Sequence, residues 1–309
     1  MLENAPSLRD APSSVKPRSA NGLAGAFLAL LGLTSGLIVL GALVRAHDAG
    51  LACPDWPLCF GEWIPRMDLR VAFEWTHRAV AGTVAFGFAG LALMALRSAH
   101  ASRELVVLLI CGAVLLAVQI VLGALTVWLQ LAQWTVTAHL ITGNTFALTL
   151  LLIACSLGSW DAPAARVQPA ARRLVCAGAV LLFAQMVLGG LVASNYAGLA
   201  CPDWPRCGGE VWFPTFRGRI GLHLFHRLNG YALLCVLAAS AWMARREAPL
   251  HSLTATALAL GALQVSVGIA NVLLRIPIEV TGLHSALASA LVLTTTLAMR
   301  RCVGSASAD

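Results

Sequence analysis

Long apolar stretches alternate with short polar segments along almost the whole chain. Eight of these stretches approach the length of a membrane-spanning helix, which needs about 20 apolar residues. Because hydrocarbon offers the backbone no hydrogen-bond partners, each stretch is predicted to be an α-helix. The pattern therefore predicts an all-α polytopic membrane protein. The predicted spans are residues 23–44, 77–97, 105–127, 137–157, 173–194, 224–243, 252–273 and 281–299.

The second part of the chain repeats the first. The segment VLGALVRAHDAGLACPDWPLC at 39–59 returns without a gap as VLGGLVASNYAGLACPDWPRC at 187–207, and EWTHR at 74–78 corresponds to HLFHR at 223–227. Since each half holds an even number of spans, both halves run in the same direction through the membrane. We therefore predict two tandem parallel four-helix bundles, related by a pseudo-two-fold axis along the membrane normal.

The repeat divides the chain into a tail and two halves. Residues 1–20 are polar and contain proline and serine, so they are predicted to form a disordered N-terminal tail. Residues 21–160 form the first half and residues 170–300 the second half, joined by a short linker that contains two prolines. The names first half and second half are kept below.

Composition and charge support a membrane protein. Charged residues make up only 11% of the chain, whereas soluble domains carry about 25%. The net charge of +7 comes mostly from arginines beside span ends, which indicates membrane topology and no nucleic-acid partner. With the N-terminus inside, 12 of the 21 basic residues fall on the inner side and 9 on the outer side. We predict a cell (inner) membrane location with cytoplasmic termini and with the cysteine loops in the periplasm or outside the cell.

Four histidines recur in the repeat, near the outer ends of their spans. A single histidine inside a span is often structural, yet ionisable side chains are costly there and usually functional. Two imidazoles on facing helices, present in both halves, indicate bis-axial ligation of a haem iron. Zinc is a poorer candidate, since each half lacks an evident third or fourth ligand at that depth. The predicted ligands are His77, His139, His226 and His284.

The two halves differ one helical turn before the first histidine of each pair. Glu74 precedes His77 by three residues, and His223 precedes His226 in the same way. A carboxylate beside iron is suited to handling protons. This difference predicts that the first half carries out chemistry and that the second half holds a permanent haem. An acid that only stabilises the helix N-terminus is the alternative.

An arginine follows the first histidine in each half. Arg78 and Arg227 are candidates for pairing with haem propionates. Ordinary basic residues at a membrane interface are the alternative, and both interpretations stay open.

Each cysteine loop carries two cysteines with five residues between them. Disulfides persist in an oxidising compartment, and prolines bend both loops, so Cys53–Cys59 and Cys201–Cys207 are predicted disulfides. A loop this small contributes about 2 kcal/mol in the chain-entropy model. Stapling of an outer loop explains both pairs. For Cys53–Cys59 a redox role beside an active haem is a competing explanation.

The motifs together resemble the haem A synthase family. The resemblance rests on GLACPDWPLC, EWTHR, the later span histidines and the duplicated eight-helix layout, and it covers about residues 23–300. The two cysteine pairs are similar to the bacterial branch. The resemblance implies an oxidoreductase that converts the C8 methyl of haem O to the formyl group of haem A for cytochrome c oxidase biogenesis. Two hydroxylations and loss of water would complete that conversion.

The resemblance also implies roles for individual residues and partners. It connects the Cys53–Cys59 pair with redox or haem-transfer steps. The implied partners are haem O, the lipid bilayer, an electron donor of unknown identity, haem O synthase and further copies of the chain. The implied sites are haem b at His226 and His284, substrate haem O at His77 and His139, and catalytic assistance from Glu74.

Two other functions compete with this one. A di-haem cytochrome b would transfer electrons without a substrate haem, and a haem carrier would transport haem without oxidising it. The difference between Glu74 and His223 favours the enzyme, because an electron-transfer protein has no need of it. A carrier has no need of two sites with matched ligands.

Overall fold

The structure, a computed structural model, describes residues 18–98, 102–158 and 167–304. These residues form eight α-helices, with a short 3-10 turn at Ala244–Arg246 after α6 and no β-strand among them. All eight helices are long and apolar enough to cross a membrane, which confirms the predicted all-helical, multi-pass membrane protein. The helices are α1 Arg18–Ala46, α2 Leu69–Arg97, α3 Arg103–Trp128, α4 Gln133–Leu157, α5 Pro169–Ser194, α6 Gly218–Met243, α7 Ala248–Leu273 and α8 Ile278–Gly304.

Several helices begin before the predicted spans. Helix α1 starts at Arg18, within the predicted tail, whose residues 1–17 lie outside the described residues, as do residues 159–166 of the linker. Helix α2 starts at Leu69 because the Asp68 side chain accepts a hydrogen bond from the backbone N–H of Val71 and caps the helix. Hydropathy alone does not register such polar first turns. The repeated histidines therefore lie about two turns into their helices rather than in the first turn.

The helices pack as two groups that meet in the middle. In the first half α1 packs against α2 and α4, and α3 packs against α4. In the second half α5 packs against α6 and α8, and α7 packs against the same two helices. The halves touch where α1 contacts α8, and where α4 contacts α5 and α8. These contacts fit two four-helix halves, and the pseudo-two-fold axis stays a prediction.

The apolar core of the first half lies at the end of the helices away from the cysteine loops. There the rings of Phe27 and Phe146 pack edge-to-face on Phe88, with centroid distances of 6.5 and 5.4 Å. Gly112 of α3 lies directly beside Phe88, where an added Cβ would come within 2.7 Å of the ring. Small residues allow membrane helices to approach closely. The opposite end, called the cysteine end below, carries the loops and the repeated histidines.

Candidate functional site

Both cysteine loops are closed by a disulfide in the structure. The sulfur–sulfur distances are 1.96 Å for Cys53–Cys59 and 2.02 Å for Cys201–Cys207. In the first loop the Asp55 carboxylate accepts hydrogen bonds from the backbone N–H groups of Phe60 and Gly61, at 2.6 and 2.8 Å. These bonds, chiefly the one from Gly61, lower the pKa of Asp55 because they stabilise its charged form. The acid of the repeated CPDWP motif thus organises the loop.

The two arginines that follow the first histidines hold these loops in place. Arg78 donates to three carbonyl oxygens of the first loop, including that of Cys53, at 2.6–3.2 Å. Arg227 donates to the Cys201 carbonyl of the second loop at 2.7 Å. Each arginine therefore ties its own cysteine loop to the helix that carries the histidine. Sequence reasoning missed this contact, and the propionate role stays a prediction.

Glu74 and His223 occupy equivalent positions in the two halves but have different hydrogen-bond partners. Glu74 is only 6% exposed. Its Oε1 accepts a hydrogen bond from Arg78 at 2.7 Å, while its Oε2 is buried with no hydrogen-bond partner in the described part of the chain. A donor faces each ring nitrogen of His223, since the backbone N of Cys201 lies 3.2 Å from Nδ1 and Nε of Arg227 lies 3.3 Å from Nε2, and a neutral imidazole accepts from one of the two. Only the first half thus offers an unoccupied acceptor beside its histidine pair.

The structure brings the four repeated histidines together in two pairs. His77 on α2 and His139 on α4 are close enough to interact electrostatically, as are His226 on α6 and His284 on α8. All four residues are half-buried. The Nδ1 atoms of His77, His139 and His284 are buried and find no hydrogen-bond partner among the described residues. Buried polar atoms normally have partners, so these nitrogens are unusual, although Nδ1 of His251, outside both pairs, is unpaired as well.

A glycine of the preceding helix backs each histidine ring. The missing side chain gives the ring room between the two helices, and a Cβ at each glycine would press against it. This cradle and the paired rings fit haem iron held by one imidazole from each side. Clusters of three or more His, Cys, Asp or Glu residues, which zinc would need, are absent from the described residues. The distances from an added Cβ to ring Cε1 are 3.1 Å for Gly41 and His77, 3.4 Å for Gly123 and His139, 3.2 Å for Gly189 and His226, and 3.2 Å for Gly268 and His284.

The chain is similar to known proteins over most of its length. Residues 25–296 match the family model COX15-CtaA, which is described as a cytochrome oxidase assembly protein. The chain belongs to the COX15-CtaA family. Several similar bacterial proteins carry the name Heme A synthase.

These COX15-CtaA relatives match most of the chain. The Heme A synthase from Shewanella oneidensis is 28% identical over 302 residues, which cover 84% of this chain and 90% of the relative. The Heme A synthase from Halalkalibacterium halodurans is 32% identical over 267 residues, covering 84% and 89%. The Heme A synthase from Alkalihalophilus pseudofirmus is 33% identical over 208 residues, covering 65% and 70%.

Sequence reasoning missed two sets of residues in this COX15-CtaA chain. They are the glycines that back the histidine rings and the residues four positions before those glycines. A recognisable signal was present, because a five-residue stretch ending in the histidine-backing glycine recurs once in each odd-numbered helix. Three of the four copies begin with glutamine, and the first begins with leucine. The stretches are LIVLG at 37–41, QIVLG at 119–123, QMVLG at 185–189 and QVSVG at 264–268.

Proposed function

We propose that this chain catalyses the oxidation of haem O to haem A. The similar proteins named Heme A synthase, which match over most of the chain, support this function. The single observation that carries it is the buried, unpartnered Oε2 of Glu74 beside the His77–His139 pair. The equivalent residue in the second half is His223, whose ring nitrogens face the Cys201 N–H and Arg227. Only the first half thus places a carboxylate beside its histidine pair.

The two histidine pairs would hold two different haems. We assign substrate haem O to His77 and His139, and a resident haem b to His226 and His284. When bound, haem b supplies electron transfer for the oxidation. This division follows from the difference between the halves, since the second pair lacks a free carboxylate beside it.

Glu74 would exchange protons with the reacting group as the haem O methyl group is oxidised to the formyl group. A positioned carboxylate is suited to this task because it alternates between acceptor and donor. Arg78 would hold Oε1 of Glu74 in place and leave Oε2 for the substrate. Because Arg78 also holds the first cysteine loop, the Cys53–Cys59 pair is coupled to Glu74 through one side chain. A redox role of this pair is part of the proposal, as is propionate binding by Arg78 and Arg227.

Pigment analysis tests the proposed reaction. We expect that cells expressing this chain together with a haem O source will contain haem A or its hydroxylated precursor. Extraction followed by chromatography and absorption spectroscopy measures this product. Recovery of haem b and unchanged haem O alone, under aeration, would contradict the enzyme and favour a di-haem electron-transfer protein or a haem carrier. The same host strain without the chain provides the background.

We further propose that the cysteine end faces the periplasm or its equivalent outside the cell membrane. The excess of basic residues on the other side and the two disulfides support this orientation. Alkaline phosphatase, which is active only in an oxidising compartment, is expected to be active when fused after Glu210 and inactive when fused after Arg246. The reverse pattern would invert the topology. Haem O synthase, further copies of the chain and an electron donor remain predicted partners.

A further inference from the structure

Helices α2 and α6 are equivalent in the repeat and carry the first histidine of each half. Both lie at the periphery, since neither is among the helices through which the two halves touch. Both are tied to their own cysteine loop by an arginine, Arg78 through three loop carbonyls and Arg227 through two. At the level of the histidines, however, the two helices are held very differently.

In the second half a polar network fixes α6 to α5. The Nε2 of Gln185 donates to the His226 carbonyl at 3.1 Å and lies 3.2 Å from the ring Nδ1 of the same residue. The Oε1 of Gln185 accepts from Asn229 at 2.7 Å, and Asn229 also donates to the Leu181 carbonyl at 3.0 Å. Gly230 leaves room for the amide, because an added Cβ would lie 3.2 Å from it. We call Gln185, Asn229 and Gly230 the brace.

The first half lacks this brace on α2. Its equivalent positions are occupied by Leu37, Val80 and Ala81, none of which has a polar side chain. Helix α2 is also the least buried of the eight spans, and it has little contact with α3, whereas α6 packs closely against α7. Apart from the bonds of Arg78 to the cysteine loop, the histidine level of α2 is therefore held by apolar contact with α1.

His139, which pairs with His77, is held firmly instead. Gln119 of α3 donates to the His139 carbonyl at 3.1 Å, and Gly143 leaves room for that amide, with 3.1 Å to an added Cβ. Helix α4 is the most buried span and contacts α1, α3, α5 and α8. In the second half His284 lies on α8, which contacts four helices, although Gln264, the equivalent of Gln119, leaves its Oε1 without a hydrogen-bond partner among the described residues.

We propose that His77 is the ligand that moves away to admit haem O and to release haem A, while His139 stays fixed. The absence of the brace from α2 makes this movement possible, and Gln185 and Asn229 act as positioning residues that prevent it in α6. This inference rests on the proposed function, because only a substrate haem has to exchange while a cofactor stays bound. It explains why two equivalent histidine pairs are supported unequally.

Exchange of the brace between the halves tests the proposal. The variant Leu37→Gln/Val80→Asn/Ala81→Gly installs it in the first half. Haem transfer from the purified protein, loaded with haem O and haem b, to excess apomyoglobin is followed by absorption. The wild type is expected to show a fast phase for haem O and a slow phase for haem b. The variant is expected to slow the fast phase roughly tenfold, which corresponds to about 1.4 kcal/mol.

The reverse variant Gln185→Leu/Asn229→Val/Gly230→Ala is expected to speed the slow phase by roughly the same factor. Leu37→Met, which changes shape without adding a polar group, serves as the matched control and should leave both phases unchanged. If a triple variant fails to accumulate, Asn229→Val alone is measured, with a smaller expected increase. If the brace only stabilised the fold, removing it would lower the amount of folded protein. Adding it to the first half would then not slow haem transfer from that half.

The outcomes separate this inference from the proposed reaction. An unchanged fast phase in the first variant, with normal haem content, overturns the proposal. So does an unchanged slow phase in the reverse variant. If the wild type makes no haem A but both phases shift as expected, the brace controls haem retention and the proposed reaction is wrong. If the wild type makes haem A but neither phase shifts, the reaction stands and the brace does not control haem exchange.

Discussion

Glu74→Gln is expected to abolish haem A formation while leaving the haem of the second half bound. The amide keeps the oxygen that accepts the Arg78 hydrogen bond, so the first cysteine loop should stay in place. It cannot take up a proton as a carboxylate does, and loss of a positioned acid–base group costs about 10²–10⁴-fold in rate. Haem A yield, measured against haem b content in the same membranes, gives the result.

Two controls separate the chemical role of Glu74 from a structural one. Glu104→Gln changes an exposed acid that pairs with Arg300 at the other end of the protein, at 2.9 Å, and should not affect the yield of haem A. Arg78→Ala removes the arginine that holds both Glu74 and the loop, and it should reduce haem A and loosen the loop together. Normal haem A formation by Glu74→Gln would remove this residue from the mechanism.

His226→Ala is expected to remove the resident haem b, whereas His77→Ala should retain it. The structure places these histidines in separate pairs, so loss of one ligand should affect only its own site. Even changes in residues around a metal ligand cost about 10–100-fold in affinity, and loss of the ligand itself should exceed that. Pyridine haemochrome spectra of the purified proteins measure haem b per chain.

A histidine away from both pairs provides the matched control. His251 lies near the start of α7, at the end opposite the cysteine loops, and His251→Ala should keep normal haem content. His284→Ala should behave like His226→Ala, because the two rings form one pair. Equal loss of haem b in the His77 and His226 variants would contradict the division of the chain into a substrate half and a cofactor half.

Much of the fold was accessible from the sequence because the signals are local. Each span is a continuous apolar run, and hydrocarbon leaves such a run little choice other than a helix. The near-identical loops around Cys53 and Cys201 revealed the repeat, and the repeat marked the four histidines by their recurrence. Helix starts such as Leu69 were missed, since the first turn of α2 is polar and depends on the Asp68 cap.

The sequence by itself determined eight helices and two cysteine pairs, and it predicted two haem sites built from paired histidines. Only the tertiary structure decided which helices lie at the centre, because contacts such as those of α4 with α5 and α8 join distant parts of the chain. It also decided that Arg78 holds a loop and that Gln185 braces a histidine. Hydropathy reports the preference of each residue for lipid. The partner of a polar side chain depends on which helices pack together, and no local pattern contains that information.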